Sequence, residues 1–404
     1  MRLGDVLVVR ADGVAGPLRR PWASVADAGP LLPPPFDEEI EAGLRAAHGL
    51  GVRYVRVSGI LGDAYGTYRE DADRASHDYR RISELYDALL DLGLRPVVEL
   101  SAMPAHLARD RRRVTLDESI ISPPREWGRW VALVRGLVSH LIGRYGITEV
   151  TRWPFQVWHA RGLAAWAGRR EELLRLYDLT ARTVKAVTPD LRVGAPGYEP
   201  PPAGPAPAGA GWVDELLAHA RTAGAPLDFV AGFGPPGPRR PTVDTWYGER
   251  PGDDGVAGAV ALLDAARAAA TVKAAVAYRI PVDRRSPRAW TLALAARLGS
   301  AELSVEGAEG LGTWAARRDD GTVGLLLWRP PATMPAVAAV RVTGLPAGGY
   351  RVRTWQVDDG PILAEPEYET PVTDGTALLH RRLPGPSVVH VELTPVPTGL
   401  AQPT

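Results

Sequence analysis

The 404-residue chain contains no cysteine, and it has only 3 methionines and 4 phenylalanines. The absence of cysteine excludes disulfide bonds, thiolate nucleophiles and cysteine-ligated zinc or iron–sulfur sites. A charge excess is also missing, because 47 basic residues balance 47 acidic ones. No global field therefore favours nucleic acid or an anionic membrane, and a small or neutral partner fits this composition better.

Long apolar stretches are absent too. No segment approaches the roughly 18 uncharged apolar residues that a membrane span requires. Near the N-terminus, Arg10 and Asp12 interrupt an apolar run that is too short for a signal peptide. We therefore expect a cytoplasmic protein without a membrane partner. The abundance of alanine, arginine, glycine and proline is typical of a GC-rich genome, and we expect a bacterial source.

Several familiar catalytic motifs do not occur. The 8 histidines are scattered without a His-x-x-x-His or similar spacing, so we expect no metal site. No glycine-rich or Walker sequence cradles phosphate, and no Gly-x-Ser-x-Gly elbow is present. We expect no cofactor. The arginine run 109–113 either faces an anion or lies in a solvated loop.

Short apolar runs alternate with longer amphipathic ones over the first three quarters of the chain. Segments 53–58 and 95–101 have the β-branched and aromatic content of strands, and 79–93 between them has a helical apolar face that ends at Gly93. The same rhythm predicts strands near 22–26, 153–158, 191–195, 227–232, 241–246 and 271–278, and helices near 37–48, 125–145, 169–187, 211–223, 255–270 and 286–298. Eight strands in this rhythm predict an α/β fold, a (β/α)8 barrel whose functional residues lie at the carboxyl ends of its strands.

From about residue 300 the pattern changes to strands separated by glycine and proline turns. The strand candidates are 313–318, 320–328, 350–357 and 387–393. They predict a β-sandwich over 300–396, which a strand within residues 1–12 can join, and a barrel over 13–299. We expect proline-rich segments 199–209 and 234–241 to be barrel loops and residues 397–404 to be a disordered tail.

An ordered series of segments carries a family resemblance. They are Val52–Leu61, Tyr65–Asp71, Pro96–Pro104, Arg152–Trp158, Leu176–Arg182, Leu191–Pro196, Leu227–Val230, Ser286–Trp290 and Arg297–Gly299. In this order they resemble glycoside hydrolase family 39, the β-xylosidase family, and the resemblance extends over about residues 22 to 360. It implies a barrel with an appended β-sandwich, in agreement with the pattern.

The resemblance also implies a retaining glycosidase, which needs two carboxyl groups about 5 Å apart. The family's acid/base is the glutamate of a Trp-Asn-Glu-Pro segment, and the matching position here is Ala160. The family's nucleophile is the glutamate of a Thr-Glu-Trp segment, and the match falls on Thr245. A shift of one residue makes Asp244 the candidate, but strand alternation then points it away from the barrel mouth.

Positions that hold the sugar in the family differ as well. Where relatives have Arg-Phe-His-Gly, the chain has Arg56-Val57-Ser58-Gly59, and Phe233 stands where relatives have a histidine after the sixth strand. Without both carboxyls, each of which contributes orders of magnitude in rate, we expect negligible xylosidase activity.

Other residues at the predicted mouth have two interpretations each. Glu99 can bind a hydroxyl or act as a base, or it can form a buried ion pair with Arg53 or Arg56. His159 can bind a sugar or transfer a proton, or it can be a structural hydrogen-bonding residue. The candidate ligand contacts are Ser58, Trp158, Trp166, Tyr198, Phe233 and Trp246. Tryptophan at such positions also simply packs, and Glu199 beside Tyr198 can be a solvated charge.

Three functions remain open. The first is a pseudoglycosidase that binds a carbohydrate or a glycosylated small molecule. The second is a repurposed enzyme that acts on a specialised metabolite, a sugar or a nucleoside through His159, Glu99 or Asp244. The third is a scaffold or subunit that presents surfaces to a partner protein. Family members often assemble, so a homo-oligomer stays open as well.

Overall fold

The chain forms two compact units. The structure, a computed structural model, describes residues 3–71, 74–112, 118–159, 165–196, 211–233, 244–248, 255–271, 275–279, 284–307, 310–329 and 336–397. One unit, the barrel unit, consists of Trp22–Arg250 and Thr271–Ile280. The other, the sandwich unit, consists of Met1–Pro21, Pro251–Ala270 and Pro281–Thr404.

Strands and helices of the described residues have the following bounds. The first ten strands are β1 (Leu3–Pro17), β2 (Val25–Gly29), β3 (Tyr54–Val57), β4 (Tyr68–Asp71), β5 (Arg74–His77), β6 (Arg95–Leu100), β7 (Pro154–Val157), β8 (Arg192–Pro196), β9 (Phe229–Phe233) and β10 (Asp244–Gly248). The others are β11 (Ala275–Arg279), β12 (Ala301–Glu306), β13 (Gly312–Arg317), β14 (Val323–Arg329), β15 (Ala336–Thr343), β16 (Gly348–Val357), β17 (Leu363–Ala364), β18 (Tyr368–Val372), β19 (Thr376–Leu383) and β20 (Ser387–Pro395). The helices are α1 (Glu38–Gly49), α2 (Arg80–Asp91), α3 (Trp127–Tyr145), α4 (Ile147–Val150), α5 (Arg170–Val187), α6 (Trp212–Ala223), α7 (Val256–Thr271) and α8 (Pro287–Ala296).

The barrel unit contains a closed sheet of parallel strands. Its order is β2-β3-β6-β7-β8-β9-β10-β11, and β11 pairs with β2 to close it. The carboxyl ends of all eight strands therefore meet at one rim, where function is placed in this fold. The predicted (β/α)8 barrel is confirmed.

Local sequence signals explain where individual helices begin. The Asp37 carboxylate accepts a hydrogen bond of 2.8 Å from the Ile40 amide at the start of α1, and the Ser286 hydroxyl accepts one from Ala289 at the start of α8. Both residues satisfy amides that have no partner within the helix. Pro287 follows at the first helical position, where its missing N–H costs nothing.

The sandwich unit is built on a ten-stranded mixed sheet. Its order is β17-β16-β20-β14-β13-β12-β1-β15-β19, and β18 pairs with β16. The N-terminal strand β1 lies between β12, to which it is antiparallel, and β15, to which it is parallel. Leucine and valine side chains from both halves of this sheet form one buried cluster, as in the predicted appended β-sandwich.

Several predicted boundaries needed correction. The first barrel strand begins at Val25 rather than at residue 22, because Pro21–Ala23 forms a turn of 3₁₀ helix. The β4–β5 hairpin was not predicted, since most of its residues are polar and exposed and it lacks apolar alternation. None of the described helices is both long and apolar enough to cross a membrane.

Candidate functional site

Four polar side chains lie near the carboxyl ends of four neighbouring barrel strands. Arg56, Glu99 and Gln156 are each the penultimate residue of β3, β6 and β7, and Asp27 lies near the end of β2. Asp27 pairs in register with Arg56, and Glu99 with Gln156. Because side chains at such positions share one face of the sheet, the parallel register brings the four groups together. We call them, with Ser101, the mouth network.

Arg56 is the centre of the mouth network. Its guanidinium is 1% exposed, and Nη2 lies 2.6 Å from a carboxylate oxygen of Asp27. On its other side Nε lies 3.8 Å from Glu99, and Nη1 donates a hydrogen bond of 3.3 Å to Gln156. The predicted alternative of a buried Glu99–Arg56 ion pair is thus what the geometry shows, and Arg53, directly before β3, is exposed.

Both oxygens of the Glu99 carboxylate accept hydrogen bonds. The Ser101 hydroxyl donates to Oε1 at 2.7 Å, and the Gln156 amide donates to Oε2 at 3.1 Å. The same amide nitrogen donates to the Trp158 carbonyl at 3.0 Å. Glu99 is fully buried, so these contacts take the place of water around its charge.

The two carboxyl groups of the network have opposite pKa shifts. Burial raises the pKa of Glu99 above its ordinary value, against the opposing influence of His159, Arg56 and the Ser101 hydroxyl. Burial also disfavours ionisation of Asp27, but the attraction and hydrogen bond of Arg56, with the Gly29 amide, hold the pKa of Asp27 below its ordinary value. Asp27 therefore ionises at a lower pH than Glu99, so a proton taken up by the pair as the pH falls goes first to Glu99.

His159 follows the end of β7 and is half-buried. Its imidazole interacts electrostatically with both Glu99 and Asp27, which places the ring beside the mouth network. The preceding residue, Trp158, has a φ of 63°, in the left-handed region that a bulky side chain rarely adopts. The backbone therefore turns sharply at Trp158, immediately before His159.

Both candidate tryptophans near this turn are buried. Trp158 has no exposed surface, and its indole N–H donates to the Ala165 carbonyl at 2.8 Å. Its ring meets Trp166 edge-on at 5.1 Å between centroids, and Trp166 donates in turn to the Arg169 carbonyl. Burial, ring contact and hydrogen bonds of this kind are typical of tryptophans that pack in the interior, which was the second interpretation of Trp158 and Trp166.

For the other predicted site residues, the structure describes the whole residue, only its backbone, or neither. Ser58 is buried directly after β3, and its amide donates to Gly29. The backbones of Phe233, Asp244, Thr245 and Trp246 lie in β9 and β10, whereas their side chains are outside the described part. Ala160, Tyr198 and Glu199 lie outside the described residues, as do both proline-rich segments. The roles predicted for these residues stay predictions.

The arginine run after β6 is engaged in local contacts. Arg109 forms an ion pair of 2.6 Å with Glu172, Arg111 donates to the Ala105 carbonyl, and Arg112 lies 3.2 Å from Asp110. These bonds fit a solvated loop, the second of the two interpretations. Among the described residues, no group of three histidine or acidic side chains could hold a metal ion.

Sequence reasoning missed Asp27, Gln156 and Ser101. Asp27 stands between two alanines in Val25–Gly29, and Gln156 between apolar residues in β7, as single polar residues in otherwise apolar strands. Such a residue signals a buried polar contact, because an inward polar group requires a partner. The sequence does not say which strand supplies that partner.

A family profile and two curated proteins match this chain in sequence. A sequence profile described as "Glycosyl hydrolases family 39" matches residues 6–236. The chain is 37% identical over 185 residues to a β-xylosidase of Caldicellulosiruptor saccharolyticus, with 45% of this chain and 36% of the relative covered. It is 34% identical over 210 residues to a β-xylosidase of Geobacillus stearothermophilus, with 50% and 40% covered. The matched part is thus less than half the length of either relative.

The fold has a counterpart that extends over nearly the whole chain. A crystal structure of "the GH39 enzyme from Xanthomonas axonopodis pv. citri" superposes with a TM-score of 0.79 at 21% identity, and the match covers 98% of each chain. At that identity the likeness shows the fold alone.

Proposed function

Because the chain belongs to glycosyl hydrolase family 39, whose profile matches more than half of it, we propose that it binds a carbohydrate or a glycosylated small molecule without hydrolysing it. The binding site is the carboxyl rim of the barrel, at the mouth network and His159. The acid/base and nucleophile positions of the family fall on Ala160 and Thr245, neither of which carries a carboxyl group.

The observation that carries this proposal concerns the two carboxyl groups of the mouth network: both are already bound by neighbouring side chains. Asp27 is ion-paired to Arg56 at 2.6 Å, and Glu99 is fully buried with hydrogen bonds to both of its oxygens. A retaining glycosidase needs one carboxyl free to attack and one free to protonate the leaving oxygen. Neither group is free in this sense, which supports binding without cleavage.

The family relationship supports a sugar as the ligand. Both curated relatives described above are named β-xylosidases, so a xyloside is the first ligand to test. The rim offers a half-buried imidazole and polar groups that already have fixed positions. Such preorganised groups suit the hydroxyls of a neutral sugar, because little side-chain ordering is needed on binding.

Isothermal titration calorimetry with xylobiose tests this proposal. We expect a measurable binding heat in the wild type and at least tenfold weaker binding in His159→Ala, because the half-buried imidazole can exchange hydrogen bonds with sugar hydroxyls. His380→Ala, at an exposed position of β19, is the matched control and should bind as the wild type does. Absence of binding heat across a panel of xylosides, glucosides and uronides would contradict a sugar ligand.

A second candidate is a repurposed enzyme, and one observation favours it. The pKa of Glu99 is raised and that of Asp27 is lowered, and pairs of acids with divergent pKa values often act as proton donor and acceptor. With His159 beside them, the network could transfer a proton to a ligand at the rim. Conversion of any offered glycoside, nucleoside or related metabolite that is lost in both His159→Ala and Glu99→Gln would favour this candidate over simple binding.

A further inference from the structure

One histidine of the sandwich unit is buried without a polar partner. His390 on β20 has no exposed surface, and neither of its ring nitrogens has a hydrogen-bond partner among the described residues. Its neighbours Val389 and Val391 point into the apolar cluster of the sandwich, so His390 points to the opposite face of the strand. A buried polar group in this state is costly and requires an explanation.

The immediate surroundings of His390 are apolar or aromatic. It pairs in register with Trp355 on β16, whose ring centroid is 5.6 Å away, and with Leu326 on β14. Gly324 on β14 lies beside the ring, since a Cβ built there would be 3.6 Å from Nε2. Neither neighbouring strand therefore offers the imidazole a hydrogen-bond acceptor.

Charged groups on this face bind the end of α8 to the sheet. Glu392, two residues from His390 and 2% exposed, accepts hydrogen bonds from Arg297 at 2.9 Å on each oxygen and from Arg318 at 2.6 Å. Arg297 follows the last residue of α8, and its guanidinium lies 4.4 Å from the Trp355 ring centroid. Arg318 also donates to the Arg297 carbonyl at 3.0 Å. We call Arg297, Arg318, Trp355, His390 and Glu392 the α8 joint.

Other charged groups near the joint already have partners. On β16, Arg353 shares the face of Trp355 and forms an ion pair of 2.9 Å with Glu367. From α7, Asp264 accepts a hydrogen bond of 2.6 Å from the Trp328 indole on β14. Two partly exposed arginines of the joint thus lie near His390 with one carboxylate between them. A protonated imidazole would be a third cation in the joint, and it would be fully buried.

We propose that His390 makes the α8 joint an acid-sensitive latch, closed while the imidazole is neutral and opened when it takes up a proton. The cation cannot be accommodated in the closed joint, because it has no acceptor and meets two arginines. Opening exposes the ring to water, where the charge is solvated. The latch couples the pH to the attachment of α8 to β16 and β20.

The direction of the pH effect follows from the two protonation states. Burial lowers the pKa of His390 to about 3; the attraction of Glu392 opposes this shift, and repulsion from Arg297 and Arg318 adds to it. In the open state the pKa returns to about 6.5. Between these values only the open state binds the proton, so stability of the joint falls as the pH falls. From pH 7.5 to 5.0 the opening constant should rise about 30-fold.

Amide hydrogen exchange of the full-length protein tests the latch. The amides of Arg297 and Leu298 are hydrogen-bonded to Leu294 and Ala295, so their exchange reports opening of the joint. After correction for intrinsic rates, we expect their opening constants to rise about 30-fold between pH 7.5 and 5.0 in the wild type. Amides in the middle of α3, in the barrel unit, should change much less.

Two variants decide whether His390 is the cause. His390→Leu removes the titrating group and should abolish most of the rise, whereas His380→Leu, at an exposed position on β19, should retain it. His390→Gln serves as a second replacement if the leucine variant does not fold. An equal rise in wild type and in the His390 variant that folds would overturn the latch, as would a flat wild-type profile.

Discussion

Arg56 contacts two carboxyl groups at the barrel rim, those of Asp27 and Glu99. It is a buried cation between two carboxyl groups, and its pKa lies above its ordinary value because Asp27 and Glu99 outweigh the effect of burial. A buried ion pair gives little net stability compared with apolar packing, but removal of one partner leaves the others uncompensated. The network therefore depends on Arg56 far more than on any single contact that it makes.

Arg56→Met should destabilise the protein by about 3–5 kcal/mol, because it leaves two buried carboxyl groups without a cation. Urea unfolding at pH 7 measures this change. Arg53→Met, directly before β3, is the matched control, and at its exposed position it should change stability by less than about 0.5 kcal/mol. Equal small effects of the two substitutions would mean that the network does not hold the rim together.

At the residue scale, the sequence indicated only part of this network. The resemblance singled out Glu99 and His159, and strand alternation made Arg56 a reasonable partner for Glu99. Asp27 and Gln156 could not be assigned, because their contacts depend on the register between strands that are separated by long stretches of chain. Register is fixed by tertiary packing, which local sequence does not encode.

At the scale of elements, apolar periodicity predicted most helices and barrel strands to within a few residues. The helix predicted at 169–187 is α5 at Arg170–Val187, and the strand predicted at 95–101 is β6 at Arg95–Leu100. Periodicity missed the exposed hairpin β4–β5 and the sandwich strand β12, in which burial does not alternate cleanly along the chain. It also missed β19, whose burial does alternate.

Gly299 lies between α8 and β12, and space there is tight. A Cβ at this position would lie 2.2 Å from the backbone of Arg317, a separation that side chains cannot relieve. Gly299→Ala should therefore destabilise the sandwich unit by about 2 kcal/mol or more, as overpacking against rigid backbone does. Thermal unfolding measures the effect.

Gly143 in α3 has open space where a Cβ would lie, in contrast to Gly299. Nothing lies within 4 Å of a Cβ built there. Gly143→Ala should stabilise the protein by about 0.5–1 kcal/mol, because alanine loses less backbone entropy than glycine in a helix. If both substitutions shifted the unfolding temperature in the same direction, steric contact at Gly299 would not be the deciding factor.

At the scale of the whole molecule, the chain keeps the architecture of its family over nearly its full length. The barrel and the sandwich-like sheet match a family 39 enzyme at a TM-score of 0.79, although only 21% of the aligned residues are identical. Apolar patterning is sufficient to maintain such a fold while residues at the rim change. The proposed loss of hydrolysis therefore requires no loss of structure.

The most direct test of the central claim is the release of nitrophenol from 4-nitrophenyl β-D-xyloside by the purified protein. We predict a rate no higher than that of buffer, and no difference between the wild type and Asp244→Asn, since Ala160 and Thr245 supply neither acid nor nucleophile. Release clearly above the buffer rate that Asp244→Asn abolishes would contradict the proposal that this family member binds without cleaving.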